Sequence, residues 1–289
     1  MSFINRIRKD ERKDLSLKYS GQAVVVRKTI ISEKILSIEL DCPEIAAKAV
    51  PGQFVQVKMP GIQAALWPRP FSIHDAYAGR IVLFIKRYGR MTELLFSLPQ
   101  PQKLLLTGPL GNGFRLPSEI KEIFLVAGGV GLPPLHFLCK KLLADGMKPA
   151  AVHFYSGAKS KAELFAHEAI ANLGVNYRAA TEDGSVGFKG LVTELLEPDL
   201  RGKSGLCICA CGPPAMLKAV ADLGEEAGHR CLLSLEQLMP CGWGVCNGCA
   251  IKIKKTGSEV TEDERGFRLA RVCKEGPVFE SGMIEWNQI

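Results

Sequence analysis

The tightest constraint in this chain is the spacing of four cysteines near its end. Cys241, Cys246 and Cys249 follow the pattern C-x4-C-x2-C, and Cys273 stands alone further on. That is the plant-type [2Fe-2S] arrangement. Each iron needs two thiolates beside the two bridging sulfides, so three ligands come from one tight loop and the fourth from a return segment. Gly242, Gly244 and Gly248 lie between the ligands. A chain wrapped round an inorganic core needs positive φ there, with backbone N–H groups turned toward sulfur. A structural zinc site and a set of buried free thiols are the competing readings. Zinc usually takes paired close spacings, and only Cys246 and Cys249 are spaced that way. Trp243, between two ligands, reads either as a shield against water or as a surface-packing aromatic.

The remaining composition sets the scale of the molecule. At 289 residues, 47% hydrophobic and 23% charged, the chain is expected to be globular, with two or three modules. It has no run of some 18 uncharged apolar residues, and its start lacks the apolar core of a secretory signal, so a cytoplasmic protein with no membrane segment is expected. In that compartment ten cysteines point to metal binding or free thiols rather than disulfides. The formal charge is +7, and Arg6, Arg8, Lys9, Arg12, Lys13 and Lys18 crowd the first twenty positions, partly offset by Asp10, Glu11 and Asp14, which reads as a solvated, frayed terminus in preference to a docking arm for an acidic partner. Basic residues after position 20 are scattered among acidic ones with no aromatic-basic stripe, so no nucleic-acid partner is expected.

The texture changes twice along the chain. From Gly21 to about Pro117, short alternating runs such as Gln22–Val26 and Arg80–Ile85 are broken by Gly and Pro, which predicts antiparallel strands closed into a barrel. Then come continuous apolar strands (Glu122–Ala127, Ala151–Ser156, Gly205–Cys211) alternating with helical segments (Leu135–Leu143, Lys161–Leu173, Ala215–Gly228). That alternation predicts a parallel sheet flanked by helices. After Cys231 the chain is rich in Cys and Gly and reads as too irregular for a sheet core. The expected division is an N-terminal extension at 1–19, an all-β barrel domain at 20–117, an α/β domain at 118–230 and a small irregular cluster domain at 231–289.

Two turns carry nucleotide signals. Strand 122–127 runs into Gly128-Gly129-Val130-Gly131 and a helix opened by Pro133 and Pro134, where glycines let the backbone approach a pyrophosphate. The match falls short of G-x-G-x-x-G, and such turns often serve packing alone. The turn Cys211-Gly212-Pro213-Pro214 at the end of another strand strengthens it, because two ligand-facing turns on one sheet suggest a dinucleotide cleft. Cys207 and Cys209 share a strand face with Cys211 and read as core, and Cys42, Cys139 and Cys231 carry no signal. In the barrel, Arg69-Pro70-Phe71-Ser72-Ile73 is read as placing a cation and a hydroxyl on one strand face with a hydrophobe between, a pattern that on its own also suits an ordinary half-buried strand. Gly108–Phe114 is, on its own, a glycine-rich loop.

Pro51-Gly52-Gln53-Phe54, Arg69-Pro70-Phe71-Ser72, Gly108–Phe114, Gly128–Gly131, Cys211–Pro214 and the terminal cysteines, taken in that order, resemble the ferredoxin-NADP reductase superfamily. Within it, the chain is most similar to the electron-transfer subunits of NAD-linked dihydroorotate dehydrogenases, from about residue 20 to the C-terminus. The resemblance implies FAD, NAD and a [2Fe-2S] cluster as cofactors. It assigns Arg69 to the FAD diphosphate within the stretch Arg69, Pro70, Phe71, Ser72, and Ser72 to the reactive edge of the flavin. Gly89 and Thr92 would contact the FAD phosphates, although Arg90-Met91 departs from the usual glycine-rich pattern. Gly128, Gly129 and Gly131 would meet the dinucleotide, with Cys211 and Gly212 near the nicotinamide ring. The implied partner is an FMN-containing subunit that oxidises dihydroorotate to orotate in pyrimidine biosynthesis, two of each forming a heterotetramer.

A flavin handles both hydride and single electrons, so the order cluster, FAD, NAD is chemically sensible. A sister reductase module of a hydrogenase, sulfide dehydrogenase or ferredoxin-dependent transhydrogenase would use the same motifs with another partner. A zinc-stabilised or redox-sensing interaction protein is the non-enzymatic alternative. Lys159 and Lys161, after the second sheet strand, could meet a 2′-phosphate and leave NAD against NADP open, although the resemblance implies NAD.

Overall fold

The computed structural model describes residues 19–61, 67–97, 103–255 and 266–288. The basic residues of the first eighteen positions, on which the frayed-terminus reading rests, lie outside that set.

Six strands, β1 (Tyr19–Ile30), β2 (Ile35–Asp41), β3 (Phe54–Lys58), β4 (Arg69–Tyr77), β5 (Arg80–Lys86) and β6 (Lys103–Leu110), close an antiparallel barrel in the order β1-β2-β5-β4-β3-β6. Alternation drives the closure. In β5, Ile81, Leu83 and Ile85 are fully buried while the residues between them are only partly covered. The same two-residue period puts Ala23 and Val25 inside and leaves Val24 and Val26 exposed. Each fully buried Ile or Leu contributes roughly 1.5–3 kcal/mol to holding the barrel shut. Two short helices, α1 (Pro43–Ala46) and α2 (Arg90–Ser97), decorate its connections.

The second sheet runs β10 (Phe188–Lys189), β9 (Asn176–Thr181), β8 (Val152–Ala158), β7 (Glu122–Gly128), β11 (Leu206–Cys211), β12 (Arg230–Ser234) and β15 (Val278–Glu280). All pairings are parallel except that of β12 with β15. The helices are α3 (Leu132–Ala144), α4 (His167–Ala171), α5 (Val192–Leu200) and α6 (Pro214–Glu226). β7 and β11 lie side by side, and the chain winds outward from them in opposite directions. That pair is therefore the topological switch point, whose carboxyl edge is the usual ligand crevice.

Two expectations need correction. The segment Lys161–Leu173 is not one helix: a 3-10 turn at Lys161–Glu163 is followed by α4 alone. Between them Leu164 and Phe165 turn inward to be buried and Ala166 takes a left-handed φ of 57°, which a continuous helix does not allow. The chain after Cys231 also does contribute to the sheet core, because β12 and β15 extend it. Cys231, Leu232 and Leu233 are a buried apolar strand that the neighbouring Cys and Gly residues disguised.

Beyond β12 the chain forms a lobe around a two-stranded ribbon, β13 (Ala250–Lys254) and β14 (Phe267–Arg271). It shares one core with the sheet and the barrel. Met239, Cys249, Ile251, Val272 and Cys273 pack in the same cluster as Phe54 and Leu110 of the barrel and Phe124 and Ile208 of the sheet. Asn112 fastens the lobe further, its amide donating to the carbonyls of Lys274 (3.1 Å) and Glu275 (3.0 Å). The loop Gly108–Phe114, colourless in the sequence, is thus a joint between barrel and lobe.

Candidate functional site

The ribbon sets the cysteine geometry. Its register opposes Ala250 and Arg271, so Cys249, just before β13, meets Cys273, just after β14, although they are 24 positions apart. The Cys273 N–H points at Cys249 Sγ (3.4 Å), which sets the two thiols side by side. Cys241 pairs in the same way with Cys246. Backbone N–H groups converge on this second pair, Trp243 on Cys241 Sγ at 3.3 Å and Gly248 on Cys246 Sγ at 3.4 Å. Desolvation works to raise the Cys241 thiol, but the N–H groups of Cys246, Trp243 and Val245 outweigh it and hold the thiol down at about 6. Cys273 lies deeper; burial, with Cys249 beside it, pushes it up to about 12.

Among the described residues, no three His, Cys, Asp or Glu side chains converge on one metal-ion position. The donors instead sort as two plus two. A tetrahedral zinc wants four ligands on one centre, whereas two irons bridged by sulfide want two thiolates each. The donor set fits a dinuclear cluster. Arg271 locks the loop, donating to the Gly244 carbonyl (2.7 Å) while pairing with Glu275. The other six cysteines are free and buried, as a core role requires.

The barrel strand beside this lobe carries the expected flavin residues. β3 and β4 pair one to one from Phe54 with Ser72 to Val57 with Arg69, so side chains alternate regularly. Arg69 and Ser72, three apart, therefore lie on opposite faces, against the single face read from the sequence. Phe71 packs toward the barrel core, whereas Phe54, on the face shared with Ser72, packs into the lobe core. The exposed Arg69 guanidinium donates to the Trp67 (3.0 Å) and Pro68 (3.3 Å) carbonyls at the rim. Thr92 Oγ1 accepts from the N–H groups of Tyr88 (2.8 Å) and Gly89 (3.1 Å), organising the first turn of α2, and the space above Gly89 is open. A helix start with open space above its first turn fits a phosphate.

At the switch point the two glycine turns interlock. A Cβ on Gly131 would stand 2.0 Å from the Cys211 carbonyl oxygen, and one on Gly212 would stand 3.0 Å from Gly128 Cα. Gly129 differs: its φ is 51° and nothing lies within 4 Å of where its Cβ would be, which fits a cofactor passing over it. Cys211 is itself buried; desolvation, and Glu236 nearby, raise its thiol strongly, so at neutral pH it presents a neutral surface. Glu236 escaped notice in the sequence. It is an exposed residue two positions past β12, and desolvation raises its carboxyl while the Lys86 charge of β5 opposes that rise. Replacing Gly131 with Ala should force the turns apart and cost about 3 kcal/mol, lowering Tm by roughly 6–12 °C. An unchanged melting curve would show that the turns do not need this contact.

A closed flavin-type barrel, a nicotinamide-type sheet with its cleft at the switch point and a terminal lobe built for two irons define a ferredoxin-reductase-like flavoprotein carrying an iron-sulfur domain. Family models agree segment by segment. Residues 22–127 match an oxidoreductase FAD-binding domain, 125–222 an oxidoreductase NAD-binding domain, and 236–285 the iron-sulfur cluster binding domain of dihydroorotate dehydrogenase B. The electron-transfer subunit of dihydroorotate dehydrogenase B (NAD(+)) from Desulforamulus reducens is 34% identical over 92% of this chain and 98% of its own length. The subunit of that description from Caldanaerobacter subterraneus subsp. tengcongensis is 36% identical over 80% of this chain and 85% of its own. Among solved structures, a chain of the NADH-dependent reduced ferredoxin-NADP oxidoreductase superposes with a TM-score of 0.76 at 26% identity, covering 92% of this chain and 90% of that one. The chain belongs to the family of dihydroorotate dehydrogenase B electron-transfer subunits. No helix among the described residues is long and apolar enough to cross a membrane.

Proposed function

We propose that the chain is the electron-transfer subunit of a cytoplasmic, NAD-linked dihydroorotate dehydrogenase. It takes electrons from a partner subunit that carries FMN and oxidises dihydroorotate to orotate, and it delivers them to NAD+; two copies of each subunit form the complex. The single observation that carries this reading is a glycine-bearing loop and its return segment, whose backbone N–H groups point at the Cys241, Cys246 and Cys249 sulfurs, in a lobe that shares one core with Phe54 of β3.

When bound, FAD converts between single electrons and hydride, which lets a one-electron cluster serve a two-electron nicotinamide. The protein's part is placement. Cys241 with Cys246, and Cys249 with Cys273, would each hold one iron. Arg69 would pair with the FAD diphosphate, with Gly89 and Thr92 at its phosphates and Pro70, Phe71 and Ser72 along the ring. Gly128, Gly129, Gly131 and Gly212 would carry the dinucleotide across the switch point. Cys211, kept neutral by burial, would border the nicotinamide without competing for its hydride.

The test is turnover with defined partners. Purified chain mixed with a candidate FMN subunit should reduce NAD+ with dihydroorotate as donor, and native mass should match two of each subunit. The likeness to the reduced ferredoxin-NADP oxidoreductase chain supports a second reading, a sister reductase module. Reduction supported by ferredoxin and not by dihydroorotate would select it. As a check on the FAD assignment, Arg69→Ala should weaken FAD retention about 10–100-fold, the effect of losing charge-assisted bonds worth about 1.5–3 kcal/mol. Unaltered flavin content after dialysis would remove Arg69 from that role.

A further inference from the structure

Gln56 is a polar residue buried to 2% exposure on the outer face of β3. Its Nε2 donates to the Met239 carbonyl of the cysteine lobe at 2.9 Å. Its Cγ and Nε2 both lie 2.6 Å from where a Cβ on Gly242 would sit, so the side chain lies flat against the residue that follows Cys241. On the other side, the register sets Gln56 directly opposite Pro70 and Phe54 opposite Ser72. Gln56, Pro70 and Ser72 thus share one face, and Gln56 is the diagonal neighbour of Ser72, at a separation of roughly 7–8 Å. The amide thus touches the loop of Cys241 and shares a strand face with the row to which the flavin is assigned.

The amide is also half used. With Nε2 committed to Met239, Oε1 is a buried acceptor that has no hydrogen-bond partner. A buried unsatisfied carbonyl costs about 1–3 kcal/mol, and native folds rarely leave one without a reason. Hydrophobic neighbours of similar volume would have packed the joint without that cost.

We propose that Gln56 is the positioning residue between cluster and flavin: Nε2 fixes the cluster loop, and Oε1 accepts a hydrogen bond from an N–H or hydroxyl of the bound FAD. It transfers nothing itself; it sets the gap that single electrons must cross. The inference rests on FAD lying along β4 and the cluster between the cysteine pairs, and it goes beyond both by naming what ties them.

The experiment uses the full chain with both cofactors, comparing the natural residue with Gln56→Glu, which keeps the shape but loses the donor, and Gln56→Met, which loses both polar ends. Iron, sulfide and flavin contents verify loading. Visible circular dichroism and electron paramagnetic resonance of the cluster report its surroundings independently of turnover. Rapid mixing with NADH separates flavin bleaching from the later appearance of the reduced-cluster signal. Both variants should show a changed cluster spectrum and about tenfold slower cluster reduction, the effect of roughly 1.4 kcal/mol, relative to flavin bleaching in the same sample. Unchanged spectra with an unchanged ratio of the two rates would overturn the proposal, as would equal slowing of both steps, which denotes general loosening. A wild-type chain that fails to retain FAD or cluster would instead strike the underlying assignment.

Discussion

Cys246→Ser should strip the protein of iron and acid-labile sulfide by at least about tenfold while leaving NADH able to bleach the flavin. Loss of a residue that merely supports a metal ligand typically costs about 10–100-fold in affinity, and loss of a ligand costs no less. Cys246 shares one half of the donor set with Cys241, and its Sγ receives the Gly248 N–H at 3.4 Å. A serine hydroxyl there is a harder and far less acidic donor, so one iron would be left with a single thiolate. The nicotinamide cleft is built from other strands, which is why the hydride step should survive. Cys207→Ser is the matched control, since that thiol is buried in the sheet core and should not affect the cluster. Full cluster absorbance in Cys246→Ser, measured on anaerobically prepared protein, would move the ligand set elsewhere.

The sequence carried this site unevenly, for physical reasons. The expected cluster cysteines stand out because an inorganic core imposes spacing on a short loop, and the strand-turn-helix at Gly128–Gly131 is legible because close backbone approach admits only glycine. Gln56, Asn112 and Glu236 were not legible. Gln56 acts on Met239 and Asn112 on Lys274, and no local pattern encodes a partner more than 150 positions away. The misreading of Arg69 and Ser72 has a different source: on a strand, facing follows parity, and a spacing of three changes sides. The strand β12 was hidden because its apolar run, Cys231 to Leu233, is only three residues long and abuts the cysteine-rich segment. The joint between the modules, where both cofactors are expected to meet, is thus the part that folding alone reveals.

A different seam, between barrel and sheet, makes stability depend on pH. His74 of β4 and His136 of α3 stack ring on ring, 4.0 Å apart and 7° from parallel, with Phe84 4.0 Å beyond His74. Both histidines are buried to 6% exposure. His136 Nδ1 lies 3.4 Å from the His74 carbonyl, which can only accept, so that nitrogen carries the proton of a neutral ring. His74 Nδ1 is buried with no hydrogen-bond partner, leaving nothing to receive a second proton's charge. Desolvation, then His136 and Lys140, hold His74 well below the usual histidine range. Desolvation lowers His136 too, with Lys140 adding to it and the His74 carbonyl and Asp75 opposing it. The facing charges, Asp75 and Lys140, are paired with each other.

A histidine whose folded pKa is depressed binds protons mainly in the unfolded chain, so stability is full above the unfolded pKa of about 6.5 and falls as the pH drops below it. At pH 5.5 the pair should cost up to about 3 kcal/mol relative to pH 7.5, a fall in Tm of roughly 6–12 °C. The carboxylates held down by ion pairs, Glu39, Glu122 and Glu163 among them, add their own loss only on approach to pH 4.5 and below, so the two windows separate. His74→Phe keeps the ring stack and the backbone carbonyl that His136 uses, but removes one titrating group. Melting curves from pH 7.5 to 5 should therefore show a shallower slope in that variant, reduced by the share of one histidine, with His136 and His153, also lowered by desolvation, keeping the rest. A slope unchanged by the substitution would place the acid sensitivity outside the seam between barrel and sheet.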